Sequence, residues 1–126
     1  MEQNIKTVYL MNLFKKHKIK ILTVIGGDHK KNYNTLKPVL GLKEILQVSH
    51  DEKEHKICKY IKRSNIVVTV PMKKDVFKYH IKKALKKYPR PYIHTRGGSS
   101  STNIIESLYV KRKSLNSILE TGYGEI

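Results

Sequence analysis

Seven consecutive residues, Arg96-Gly97-Gly98-Ser99-Ser100-Ser101-Thr102, join a planar cation, two residues without side chains and four hydroxyls, directly after the short apolar run Pro91 to Thr95. Between a strand and a helix, such a segment makes an anion seat. Free amides at the helix start, the positive end of the helix dipole and a bidentate guanidinium converge on one phosphate-sized group. The same residues also fit a plainer role, because Ser and Thr are the ordinary N-caps of helices. Ser99 to Ser101 lack the glycine-flanked nucleophile turn of a hydrolase, so the segment points to binding and names no reaction.

A second candidate is Gly26-Gly27-Asp28-His29, which follows the apolar run Ile19 to Ile25. Paired glycines let a backbone approach a ligand or turn with positive φ. They equally make a tight strand-to-helix turn. The third glycine of a dinucleotide fingerprint and the Gly-Lys-Ser/Thr of a triphosphate loop are both missing, which disfavours standard NAD or ATP binding. His50 and Asp51 follow the next apolar run. Asp28 and Asp51 are potential acid and base, but spacing identifies no nucleophile paired with a base. Of the six histidines, only His29, His50 and His94 could meet on one rim, and none shares a compact ligand spacing with a carboxylate. No metal and no cofactor is expected.

Lys78, Lys82, Lys83, Lys86 and Lys87, with Tyr79 among them and Arg90 just beyond, lie on one side of a segment whose other side is Phe77, Ile81, Ala84, Leu85 and Tyr88. With Lys73 and Lys74 just before them, they could track a phosphate backbone, each contact releasing counterions. A solvated face of any Lys-rich helix has the same pattern. Lys111-Arg112-Lys113 and Lys15-Lys16-His17-Lys18 are further basic clusters. No helix-turn-helix, zinc finger or RNA-recognition aromatic motif is present, so base-specific readout has no support.

These residues need elements to position them. Four β-branched runs, Ile19 to Ile25, Glu44 to Val48, Asn65 to Val70 and Pro91 to Thr95, are each followed by a helical segment. Continuous apolar runs of this kind are typical of parallel strands buried on both faces. The alternation predicts a small Rossmann-like or flavodoxin-like α/β sandwich with a four-stranded parallel sheet of order 2-1-3-4. In that topology the ligand crevice lies at the carboxyl ends of the strands, which would gather the Gly26, His50, Lys73 and Arg96 segments on one rim.

The helices have readable faces. Tyr33, Leu36 and Leu40 make one stripe, with Gly41 as C-cap and Pro38 predicting a kink or a shorter helix. Ile57, Cys58 and Ile61 make another, and Cys58 is expected as a small buried hydrophobe. The helix beginning among Ser100 to Asn103 should bury Ile104, Ile105 and Leu108, with Asn103 and Glu106 as a capping-box variant. Residues 1–18 read as an N-terminal extension, helical or unstructured, residues 19–113 as the single domain, and residues 114–126 as a fraying C-terminal tail.

At 126 residues the chain suits one domain with a single core. Twenty-six Lys and Arg against ten Asp and Glu give a formal charge of +16, a field that attracts polyanions. An AT-rich genome alone raises Lys, yet that bias also raises Glu, and acidic residues here stay few. A lone cysteine excludes an intrachain disulfide and a Cys-based structural zinc site. Neither a signal peptide nor an apolar run of membrane-spanning length is evident, so the expected setting is cytoplasmic, with no membrane partner.

From about Ile19 to Leu108 the chain resembles a bacterial family of small Rossmann-like proteins called domain of unknown function twenty-three twenty-five. The resemblance is carried by Gly26-Gly27, Ser49-His50-Asp51, the strand Ile66 to Val70, Ile81-Lys82-Lys83-Ala84-Leu85-Lys86-Lys87 and Arg96-Gly97-Gly98-Ser99-Ser100. It implies the same fold and the same rim, and it brings no activity. Members tend to carry a His near the start of the third helix where this chain has Asp75, so no metal or haem role is carried over.

The expected function is therefore non-enzymatic binding of a phosphate-bearing ligand, nucleic acid first. Its sites would be Gly26, Gly27, Asp28, His50 and Arg96 to Thr102 at the rim, with Lys73, Lys74, Lys78, Lys82, Lys83 and Lys86 beside them. The alternative is a sensor or enzyme for a nucleotide or phosphometabolite at the same rim. A homodimer through Val8, Leu13 and Phe14 is a further expectation.

Overall fold

All four residues of Ile66-Val67-Val68-Thr69 are buried, as a strand covered by helices on both faces requires. The computed structural model describes residues 5–26, 30–49, 52–70, 75–95, 100–122 and 124–125. Four parallel strands, β1 (Ile21–Ile25), β2 (Glu44–Val48), β3 (Ile66–Thr69) and β4 (Pro91–His94), stand in the order β2-β1-β3-β4. This is the 2-1-3-4 sandwich that the sequence predicts. The crossovers are α2 (Lys30–Val39), α3 (Glu54–Arg63) and α4 (Asp75–Lys87). Before them comes α1 (Ile5–Lys16), and after β4 come α5 (Ser101–Val110) and α6 (Arg112–Thr121). A two-residue β5 (Gly124–Glu125) then adds to the sheet parallel to β4.

Side-chain alternation along the strands divides the core into two. Leu22, Val24, Ile66, Val68 and Ile93 pack with Leu10 and Phe14 of α1, Leu36 of α2, Ile104 and Leu108 of α5, and Leu115 and Leu119 of α6. Ile25, Val48 and Val67 pack on the opposite face with Ile57 and Ile61 of α3 and Ile81 and Ala84 of α4. The second face also carries Thr23, whose hydroxyl is paired with the Ser64 hydroxyl.

Two polar devices set the register. The Asn65 carboxamide oxygen accepts from the amides of Lys20 and Ile21, both at 2.9 Å, and so ties the entry of β1 to that of β3. The Arg90 guanidinium donates to the carbonyls of Lys62 and Ser64, both at 2.8 Å, satisfying the end of α3. Arg90 thus serves a helix terminus and does not extend the basic stripe.

Gly41 does cap α2. At φ +67 it donates to the Pro38 carbonyl at 3.2 Å, while Leu42 donates to that of Lys37 at 2.9 Å, the paired bonds of a Schellman motif. Pro38 sits in the last turn of the helix, where α2 ends one residue later.

Several expectations change. The N-terminal extension and the tail both belong to the domain: Leu10, Leu13 and Phe14 of α1 and Leu115 and Leu119 of α6 are buried. Their apolar spacing finds a sheet face that the crossover helices alone would leave open. Leu13 and Phe14 are therefore occupied within their own chain, and the exposed apolar residues of α1 are Ile5, Val8 and Tyr9. Cys58 is only half-buried. Ile105 is half-buried as well, while Ile104 and Leu108 are fully inside. α5 is capped by Ser100, whose hydroxyl accepts from the Asn103 amide at 3.2 Å, so the Asn103–Glu106 capping box does not form. Glu106 instead pairs with Lys6 of α1. No helix among the described residues is long and apolar enough to cross a membrane.

Candidate phosphate and nucleic-acid interface

The strand order reverses between β1 and β3, which puts the crevice of this fold at their carboxyl ends. Gly26 leaves β1 with φ +105, a conformation that favours glycine, and its amide donates to the Val48 carbonyl of β2 at 2.8 Å. The turn expected of a glycine here is present. Val70 leaves β3 by donating to the Ile25 carbonyl at 3.0 Å. Of the other rim residues singled out from sequence, Ser100 is the N-cap of α5, Ser101 is half-buried and Thr102 is exposed. Gly27, Asp28, His50, Lys73, Lys74, Arg96, Gly97, Gly98 and Ser99 lie outside the described residues.

A polar cluster at the ends of β3 and β4 lacked a sequence signal except for His94. The buried Thr69 hydroxyl stands 2.8 Å from His94 Nδ1 and 2.9 Å from the Tyr92 hydroxyl. Thr69 and His94 face each other in the strand register, and Tyr92 lies two residues before His94 on the same face. The Thr69 carbonyl accepts from both the amide and the hydroxyl of Thr95, at 2.8 and 3.0 Å. From the other side of the sheet, Lys111 Nζ donates to the His94 carbonyl at 2.6 Å. With Arg112 stacked 4.1 Å from the Tyr109 ring, two members of the Lys111-Arg112-Lys113 cluster have contacts within the fold.

The basic face of α4 has the expected form. Lys78, Lys82, Lys83 and Lys86 are exposed, opposite buried Ile81 and Ala84. Tyr79 is 64% exposed among them. Only Lys83 of these four lysines makes an ion pair among the described residues, at 3.3 Å from Glu54 of α3. That hydrogen bond and the carboxylate charge raise the Lys83 pKa above its ordinary value. His80 Nδ1 lies 3.4 Å from the same carboxylate, within ion-pair range for a protonated ring but without hydrogen-bond geometry.

α3 is a second basic helix, one that no motif marks in the sequence. Lys56, Lys59 and Lys62 are all exposed on the helix beside α4. Their spacing of three residues, against Ile57 and Ile61 on the other side, was the available signal. Together α3 and α4 carry nine Lys and Arg against two acidic residues in their 23 positions. Among the described residues no group of three or more His, Cys, Asp or Glu is arranged to hold a metal ion. No protein-family model, curated protein or solved structure matches the chain, so the resemblance drawn from its motifs has neither support nor opposition from comparison.

Proposed function

We propose that this protein is a non-catalytic binding domain for a phosphate-bearing polyanion, nucleic acid in the first place. One observation carries the reading: α4 presents Lys78, Lys82 and Lys86 at intervals of four residues, exposed and without an ion pair among the described residues. Such a row tracks a phosphate backbone, and binding by it falls steeply with salt because each contact releases counterions. The start of α5 at the strand rim is the second element of the proposal, with Arg96 to Thr102 seating one phosphate and Lys73 and Lys74 linking the two regions.

The test is binding of a single strand, a duplex and a panel of mononucleotides across a salt series, after removal of co-purified nucleic acid. Lys82→Glu is expected to weaken binding to every polymer sequence alike and to lower the salt slope by about one. Polymer binding that is unaffected by salt and by Lys82→Glu overturns the reading.

A second reading takes its support from the Thr69–His94–Tyr92 cluster, since polar side chains gathered at a sheet's carboxyl rim suit a small ligand. On that reading a nucleotide or phosphometabolite binds saturably at the rim. Arg96→Ala abolishes its binding and Lys82→Glu spares it.

A further inference from the structure

We infer that the groove between α3 and α4 is a track for single-stranded nucleic acid, with Tyr88 as its stacking surface. The inference rests on the polyanion-binding reading and gives it a location away from the strand rim. The groove is open, has a volume of about 670 Å³, and is lined by Glu54, His55, Cys58, Lys59 and Lys62 of α3 and by Lys87 and Tyr88 at the end of α4.

Charge is the first argument. The carboxylate at the head of the groove, Glu54, is already engaged by Lys83 and stands beside His80. Lys59, Lys62 and Lys87 have no carboxylate within ion-pair distance among the described residues. The ammonium groups of Lys62 and Lys87 instead lie 5.7 and 5.6 Å from the centre of one ring, that of Tyr88. Lys62 and Lys87 sit in the last turns of their helices, where a cation also offsets the helix dipole. Lys59 is in mid-helix and has no such explanation. Two ammonium groups beside one aromatic ring, with Lys59 lining the same groove, repel each other, and an anion between them relieves that repulsion.

Base accessibility selects the kind of anion. Bases of a single strand are free to unstack onto the half-buried Tyr88 ring in the groove wall, whereas those of a duplex are held in its interior. Along α3 the stripe from Glu54 to Lys62 spans about 12 Å at the helical rise per residue. A cationic cleft with an aromatic wall is how proteins hold single strands irrespective of sequence, phosphates on lysines and bases on the ring. A phosphate that draws Lys62 off Tyr88 leaves that ring face to a base.

Cys58, the only cysteine of the chain, lines the groove and reports on its occupancy. The experiment follows alkylation of Cys58 in the intact protein with a twelve-nucleotide oligothymidylate, with a duplex of the same length and with no addition. It also measures the affinity of the Lys59→Glu/Lys62→Glu variant, whose two altered side chains are exposed. The single strand is expected to slow alkylation at least about fivefold, and the double reversal to weaken its binding about tenfold or more, as the loss of two phosphate contacts implies. Salt-dependent polymer binding with unchanged Cys58 alkylation and unchanged affinity of the double variant overturns the groove and leaves the general reading standing. Equal protection by duplex overturns the single-strand assignment. No binding of either polymer overturns both.

Discussion

The two helical layers that cover the sheet are built differently. On one side α1, α2, α5 and α6 enclose the larger cluster of buried residues, with Leu10, Phe14, Leu36, Leu108 and Leu115 among them. Those four helices hold eight Lys and Arg against two acidic residues in 42 positions. On the other side α3 and α4 enclose a smaller described cluster that ends in Ala84, and concentrate nearly the same excess of positive charge in about half the length. Buried hydroxyls belong to this thinner side too, since Thr23 and Thr69 point toward it. Among the described residues one layer thus supplies most of the apolar burial, and the other is where charge density is highest and the helices leave a cleft.

The sharpest way to break this contrast is to open a cavity in each layer. Phe14→Ala, in the fully buried aromatic of α1, is expected to destabilise by about 3–5 kcal/mol, and Ile61→Ala under α3 by about 2–5 kcal/mol. Urea unfolding of both variants compares them. A larger loss at Ile61 than at Phe14 would mean that the thin layer is the one the fold depends on.

A smaller effect is expected at the junction of layer and rim. Ser100→Ala removes the hydroxyl that accepts from the Asn103 amide, at a cost of about 0.5–2 kcal/mol in the same unfolding measurement. If stability is unchanged, Ser100 is not what starts α5, and its hydroxyl is available to a ligand.

The smallest effect belongs to the Lys83–Glu54 contact between α3 and α4. Because the folded state raises the Lys83 pKa above 10.5, the contribution of this contact is fully present below pH 10.5 and disappears as pH rises through the raised folded value. The stability difference between the protein and its Lys83→Met variant should therefore be small and flat from neutral pH to about pH 10, then shrink. A difference that changes between pH 5 and pH 8 would show that another group governs the dependence.

The sequence carries the central sheet openly, since Ile66 to Val70 and Ile21 to Ile25 are continuous apolar runs that only a doubly covered strand tolerates. It conveys the outer elements less well. Leu115, Ile118 and Leu119 have helical spacing, but they precede Gly122 and Gly124 in a short polar segment that by itself resembles a fraying end. A two-residue strand such as β5 is too short to leave any periodicity. For the site, the lysines of α4 were readable from one stripe. The groove was not, because it depends on how α3 and α4 lie against each other and on Tyr88 standing half-buried between two lysines of different helices. Arg90 shows the opposite error, a cation that composition counts as surface charge and that geometry commits to the carbonyls of α3.

The seating of α1 against α5 has a consequence for how the molecule forms. Tyr9 meets the Tyr109 ring edge-on and Lys6 reaches Glu106, contacts between residues 100 positions apart. The crossovers that build β1 to β3 close over much shorter stretches of chain, and non-local closure is slow. The helix that begins the sequence is thus among the last to dock. During synthesis the side of α1 that carries Lys6 and Tyr9 lacks its α5 partners until Glu106 and Tyr109 have emerged, an interval in which a chaperone or another nascent chain competes for it.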